Sequence, residues 1–180
     1  IGCPFQTKRI AREGDRKIHF KSAMTILGKK DGADASAGSS YMEIASIIKT
    51  NSATPGNDLL ELWRRIVFNM AVSNTDDHLR NHGFILVKDG WSLSPLYDVN
   101  PNIYGDTLSL NVDSDNNLID FNLALSIAKM YGLSEAQALE ELKEIKNVVE
   151  SNWRRFAGQY GLSRSEIEGM APAFDMSFKG

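Results

Sequence analysis

Apolar residues recur at three-to-four spacing along most of the chain, and the pattern turns to alternation in only a few short stretches. Leu59, Leu62, Trp63, Ile66, Val67 and Met70 form one stripe, which predicts a helix capped by Asp58 after the break at Thr54-Pro55-Gly56. Ser40-Tyr41-Met42-Glu43 reads as a capping box, and Ile44, Ile47 and Ile48 continue one apolar face to Thr50. Ser134 with Gln137 caps a long helix carrying Leu139, Leu142, Ile145, Val149, Trp153 and Phe156 on one face. Ser163 with Glu166 repeats the cap for a short last helix, and Phe121 to Tyr131 reads as a helix ended by Gly132. The stripe at 139–156 could line a partner groove, but in a helical lobe such a face is more often core.

The remaining segments are short. Residues 16–20 look extended, and Ser22 to Leu27 reads as a brief helix before the flexible Gly28-to-Ser39 stretch, rich in Gly, Ala, Ser and Asp. Gly83-Phe84-Ile85-Leu86-Val87 is strand-like, Trp91-Ser92-Leu93 alternates, and Lys88-Asp89-Gly90 between them supplies a hairpin turn. Leu108 to Val112 alternates as a further strand or extended segment. The fold class expected is therefore mainly α with a small β-hairpin (α+β), in one domain spanning residues 1–180.

Candidate chemistry gathers around the hairpin. It is preceded by Asn74-Thr75-Asp76-Asp77-His78-Leu79-Arg80-Asn81-His82-Gly83 and followed by Ser94-Pro95-Leu96-Tyr97-Asp98-Val99-Asn100-Pro101. Asp76 and Asn81 stand five apart, and Asp98 follows seventeen residues later. Phosphoryl transfer needs one carboxylate to orient and accept the proton of the attacking hydroxyl, and oxygen ligands that hold Mg²⁺ against nucleotide phosphates. A kinase catalytic loop places its base five residues before a metal-binding Asn, and a second metal-binding Asp follows later in the chain. A hairpin would return the chain near its start, so that Asp98 could meet Asn81. Taken singly, each Asp would be explained as helix capping or turn chemistry; the joint spacing is what favours the kinase reading.

The wording of these loops resembles the C-terminal lobe of HipA-like serine/threonine kinases, the toxin halves of bacterial toxin–antitoxin pairs. Ile18-His19-Phe20-Lys21-Ser22-Ala23-Met24 and Asp58-Leu59-Leu60-Glu61-Leu62-Trp63-Arg64-Arg65 carry the same resemblance, which covers about residues 5 to 160. It implies a protein-kinase-like C-terminal lobe with Asp76 as catalytic base, Asn81 and Asp98 as Mg²⁺ ligands, and His78 and Tyr97 beside the nucleotide phosphates. The family's adenine-contacting hinge usually reads as a basic residue, Arg, Phe, Asp, Arg. This chain has Lys8-Arg9-Ile10-Ala11-Arg12, so Lys8, Arg9 and Ile10 take the nucleotide-binding place with the Phe and Asp both replaced. His78 recurs at this place in small-molecule and lipid kinases too, and could equally brace the loop by hydrogen bonds. The resemblance also implies ATP and Mg²⁺ as cofactors, a HipB-like antitoxin as partner and DNA contact only through that antitoxin. A protein substrate, with an aminoacyl-tRNA synthetase as the candidate, follows from the same source.

Composition sets the limits. A length of 180 residues suits one domain with a real core, and a formal charge of −3 with no long basic run gives no sign of a nucleic-acid or membrane surface. Cys3 is the only cysteine, which makes a reducing cytoplasm the simplest expected home. No apolar run approaches the roughly eighteen residues that span a bilayer, and no His, Cys and carboxylate spacing suggests zinc. His19 and His82 read as surface or satisfied core histidines. The opening Ile-Gly-Cys-Pro reads as a cut chain, with the small N-terminal lobe of a kinase outside it. Neither GxGxxG nor GxxxxGK[ST] occurs. The expectation is a Ser/Thr protein kinase when full length and an inactive lobe alone. A small-molecule kinase of the same superfamily and a catalytically silent partner-binding fragment are the alternatives.

Overall fold

The stripe from Leu59 to Met70 becomes the helix around which the rest is packed. The structure, a computed structural model, describes the backbone of residues 12–13 and 16–17 and all of residues 18–180. The expected adenine contacts Lys8, Arg9 and Ile10 lie outside the described residues. In chain order, strands β1 (Arg12–Glu13) and β2 (Arg16–Lys17) pair with each other, and β3 (Phe20–Ser22) runs into the one-turn helix α1 (Ala23–Ile26). Helices α2 (Tyr41–Asn51) and α3 (Pro55–Ala71) follow, then strands β4 (Gly83–Val87) and β5 (Gly90–Leu93). Helices α4 (Phe121–Ile127), α5 (Glu135–Gln159) and α6 (Arg164–Met170) complete the order. Among the described residues no helix is long and apolar enough to cross a membrane.

Helix α3 packs against α2, α4 and α5. Its apolar face, Leu59, Leu62, Trp63, Ile66, Val67 and Met70, is buried with Tyr41, Ile44 and Ile48 of α2 and Phe121 and Ala124 of α4. Trp63, fully buried, donates its indole N–H to the Ala124 carbonyl at 2.9 Å, so the largest core side chain carries no unpaired donor. All three capping boxes read from the sequence close: Ser40 with Glu43, Ser134 with Gln137 and Ser163 with Glu166. The face of α5 is divided. Leu142 and Val149 are core, whereas Leu139 and Phe156 remain exposed, and Trp153 stacks on Phe174 with ring centroids 4.2 Å apart.

Several expectations need correction. The hairpin β4–β5 is the core of a three-stranded antiparallel sheet, because β3 adds to the free edge of β4 with Phe20 opposite Ile85 and Ser22 opposite Gly83. The turn is the two residues Lys88 and Asp89, closed by Val87 opposite Gly90. Gly90 has φ +147°, and a Cβ there would lie 2.9 Å from the Asn51 carbonyl at the end of α2, so this strand start admits only glycine comfortably. Asp58 does not cap α3. Thr54 takes the cap position with Pro55 first in the helix, and the Asp58 carboxylate accepts instead from Ser52 Oγ at 2.7 Å and the Leu93 amide at 2.9 Å. Leu108, Leu110 and Val112 are buried as their alternation suggests, yet the segment makes only isolated bridges, Thr107 to Leu118 and Ser40 to Asn111. The helix from Phe121 tightens to a 3₁₀ turn over Ala128–Tyr131 before the left-handed Gly132.

Candidate active site

Helix α3 ends at Ala71, and the chain turns sharply through Ser73, whose φ of +51° is unusual for a residue with a side chain. Asn74 is buried and locked onto the same helix: its amide donates to the Asn69 carbonyl at 2.8 Å and its Nδ2 to Asn69 Oδ1 at 3.0 Å. Thr75 is held from two sides, by Asn102 Nδ2 on its hydroxyl at 2.7 Å and Ser109 Oγ on its carbonyl at 2.8 Å. The segment is thus fixed before it reaches Asp76.

Two adjacent carboxylates then meet opposite environments. Asp76 is exposed, and its carboxylate has no hydrogen-bond or ionic partner among the described residues, while its carbonyl accepts from Asn81 Nδ2 at 3.1 Å and the His78 amide at 3.0 Å. Asp77 is 1% exposed, and its Oδ2 accepts from Tyr41 Oη at 2.7 Å, Asn69 Nδ2 at 2.6 Å and His82 Nε2 at 2.9 Å. Three donors around one oxygen are what a buried carboxylate requires. Burial, reinforced by the Asp77 charge, pushes the Tyr41 phenol well above its ordinary range, so it stays a donor. The Tyr41 ring also meets His82 edge-on at 5.6 Å. His82 is therefore a core histidine, with Nδ1 buried and unpartnered.

His78 Nε2 lies 2.9 Å from the Arg80 guanidinium, which also ion-pairs with Asp31 across the Gly28-to-Ser39 loop. The bracing contact that the sequence allowed is thus present, and His78 Nδ1 is buried without a partner. A cleft of about 390 Å³ gathers Asp76, His78 and Arg80 with Asp31, Asp34 and Ser109, and leaves Asn81, Tyr97 and Asp98 outside its lining.

The second loop is attached to the first. Ser94 donates its amide to Gly83 at 2.8 Å, and the buried Arg65 of α3 donates to the Ser94 carbonyl at 2.5 Å, so the exit from β5 is pinned to the helix. Tyr97 Oη donates to the Arg80 carbonyl at 2.6 Å, and the Asn100 amide reaches Asn74 Oδ1 at 3.3 Å. Asp98 sits between these two ties. Burial pushes the Tyr97 phenol up to about 12, with the Arg65 charge opposing, so its hydroxyl remains a donor to the loop and only its ring is left for other contacts.

Asp98 is exposed and adopts φ +57°, a left-handed conformation that Asp tolerates better than most residues. Its Oδ1 accepts from Asn100 Nδ2 at 3.0 Å, and Oδ2 has no partner among the described residues. Asn81 spends its Nδ2 on Asp76 and keeps Oδ1 free of donors. The unclaimed groups of both side chains are hard oxygens, which fits Mg²⁺, an ion that takes one or two protein oxygens and completes its octahedron with water and phosphate. Sequence reasoning missed the ties that hold this arrangement: the donors to Asp77, the Asn74–Asn100 contact, and the anchors Asp58 and Arg65. Their signal is a set of buried polar residues at helix positions, which one sequence does not distinguish from solvated ones.

These features define a kinase-like lobe: a helical body, a small antiparallel sheet, and two polar loops meeting at its edge. A family model described as HipA-like C-terminal domain matches residues 2–153, and the chain belongs to that family. A protein of Haemophilus influenzae named "Putative kinase" is 36% identical over 94 residues, 48% of this chain and 27% of the relative. The Sinorhizobium fredii protein named "Putative kinase Y4mE" is 25% identical over 125 residues, 69% of this chain and 24% of that one. The chain thus spans about a quarter of the length of these curated relatives. A chain in the solved Shewanella oneidensis MR-1 toxin–antitoxin complex of HipA, HipB and operator DNA superposes with a TM-score of 0.69 at 16% identity. The match covers 91% of this chain and 43% of that one, and the likeness is one of fold.

Proposed function

We propose that the chain is the C-terminal catalytic lobe of a HipA-like protein kinase that transfers the ATP γ-phosphoryl group to a Ser or Thr hydroxyl. The observation that carries this reading is the division of labour between adjacent carboxylates: Asp77 is sealed in the core by three donors, and Asp76 is presented free at the surface. A base for a substrate hydroxyl needs an unspent carboxylate on a well-positioned backbone, and the ties at Asn74, Thr75 and Asn81 supply the second condition. Asn81 and Asp98 would hold Mg²⁺. When bound, the ion would neutralise charge on the phosphates and orient them for in-line transfer. His78 and the ring of Tyr97 would lie beside the nucleotide, with Lys8, Arg9 and Ile10 at its adenine end. The acceptor hydroxyl would enter by the cleft at Asp76.

The partner in this reading is a HipB-like antitoxin, because the structural neighbour comes from a complex of HipA, HipB and operator DNA, and DNA would be met only through that partner. A toxin role and a protein substrate, with an aminoacyl-tRNA synthetase as the candidate, follow from the family resemblance. Acceptor profiling with the complete protein tests the choice: label on seryl or threonyl side chains supports it, and label only on a small molecule favours the metabolite-kinase alternative. For the metal, a structure with nucleotide and Mg²⁺ is expected to show Asn81 Oδ1 and Asp98 Oδ2 at about 2.0–2.1 Å from the ion. Asp98 still bonded only within its own turn would remove it from the ligand set.

These 180 residues alone are expected to fold but not to catalyse. Capped helices around a buried α3 give the lobe its own core. Neither GxGxxG nor GxxxxGK[ST], the Gly-rich loops that grip phosphates, occurs in its sequence. Calorimetric titration with ATP and Mg²⁺ should give no resolvable heat of binding, alongside a cooperative thermal transition. Micromolar affinity would contradict the expectation.

A further inference from the structure

Residues 171–180 lie beyond the part of the chain that the family model covers, yet they reach the root of the catalytic loop. Each of the last carbonyls of α3 has an identifiable partner. Phe68 accepts from the Val72 amide, Asn69 from Asn74 and Met70 from Ser73. The Ala71 carbonyl is met by Lys179 Nζ at 3.1 Å, the one donor it receives among the described residues. The same ammonium donates to the Ala173 carbonyl at 2.8 Å, which also accepts from Ser73 Oγ at 2.9 Å. Lys179 is 7% exposed, and its own carbonyl accepts from the Phe121 amide at the start of α4 at 2.6 Å. One residue therefore joins the end of α3, the strained Ser73 turn and the start of α4.

We infer that Lys179 is a positioning residue of the catalytic loop, holding the Ala71–Ser73 turn from which Asp76 is presented. A helix end leaves carbonyls that must find donors, and a cation there is favoured by the helix dipole. Without Nζ, the Ala71 carbonyl would be buried and unpaired, and the Ser73 turn would keep only its own hydroxyl as a tie to Ala173. The part of this inference that concerns turnover rests on the kinase reading above; the part that concerns the turn does not.

The charged neighbours of Nζ are Asp175 on its own segment and Lys146 on α5. Burial lowers its pKa to about 8 from the 10.5 of a free lysine, Lys146 adding to the effect and Asp175 opposing it. A depressed lysine is charged at a cost in the folded state, and between about 8 and 10.5 the unfolded chain holds more protons. Stability from this group consequently rises as pH increases through that window. The neutral amine still carries hydrogens for both carbonyls, so the grip itself survives deprotonation.

The test is Lys179→Met, which keeps length and burial and removes the donors. Amide exchange at residues 72–78 should rise at least tenfold, with residues 83–93 and 135–159 changing less than twofold. Unchanged exchange at 72–78, or an equal rise everywhere, would overturn the inference. The difference in Tm between the unaltered protein and the variant should grow from pH 8 to 10.5; a constant difference would show that Lys179 is not the depressed group. In the complete protein, kcat for phosphoryl transfer should fall about tenfold with KM for ATP unchanged, and a change in KM alone would count against positioning. If the complete protein transfers no phosphoryl group, the kinase reading fails while the exchange result still decides the role of Lys179.

Discussion

Asp76→Asn in the complete protein is expected to lower phosphoryl transfer by about 10²–10⁴-fold, the usual worth of a general base, and to leave Tm within about a degree. The two halves of this expectation have separate origins. The carboxylate has no hydrogen-bond or ionic partner among the described residues, so removing its charge breaks no polar contact of the fold. The ties that hold residue 76 run through its backbone carbonyl, which the substitution keeps. Steady-state turnover with ATP and Mg²⁺, beside a thermal melt, checks both. Retained activity would mean that Asp76 is not the base, and a large fall in Tm would mean that its carboxylate has a structural partner.

Asp77→Ala is expected to do the reverse in kind. It removes the acceptor shared by Tyr41, Asn69 and His82 and leaves their donors buried without a partner. Breaking a buried, hydrogen-bonded charge cluster by deleting one member costs about 3–5 kcal/mol, a Tm lower by roughly 6–20 °C for a domain of this size. Asp77→Asn should cost less, since an amide oxygen can still accept from part of the set. Comparable melts for the Ala and Asn variants and the unaltered chain would show that the cluster contributes nothing to stability.

The helices were legible because their signals are local. Ser40, Ser134 and Ser163 each announce a start three residues ahead of an acceptor, and the stripe from Leu59 to Met70 declares its buried face without reference to the rest of the chain. Strand β3 was not legible as a strand of this sheet. Three residues cannot show a period, and what makes Phe20–Ser22 a strand is a partner about sixty residues on. Leu108 to Val112 takes the second of its two readings, an extended segment: the alternation reports real burial, but no neighbouring strand completes a ladder. In the site, the spacing of Asp76, Asn81 and Asp98 was visible and the apparatus behind it was not. Asp77 draws its partners from α2, α3 and the far end of its own loop. Asp58, read as a helix cap from its place before an apolar stripe, was claimed by a strand amide that only the tertiary fold supplies.

The third strand gives the site a mechanical connection as well as a longer sheet. Ser22 opposes Gly83, and the next residue, Ala23, donates its amide to the His82 carbonyl at 2.7 Å, one residue past Asn81. The chain entering at Phe20 and the loop leaving at His82 are therefore rungs of one ladder. The segment ahead of Phe20 and the residue next to Asn81 are thus tied by main-chain hydrogen bonds, so a displacement of one is coupled to the other.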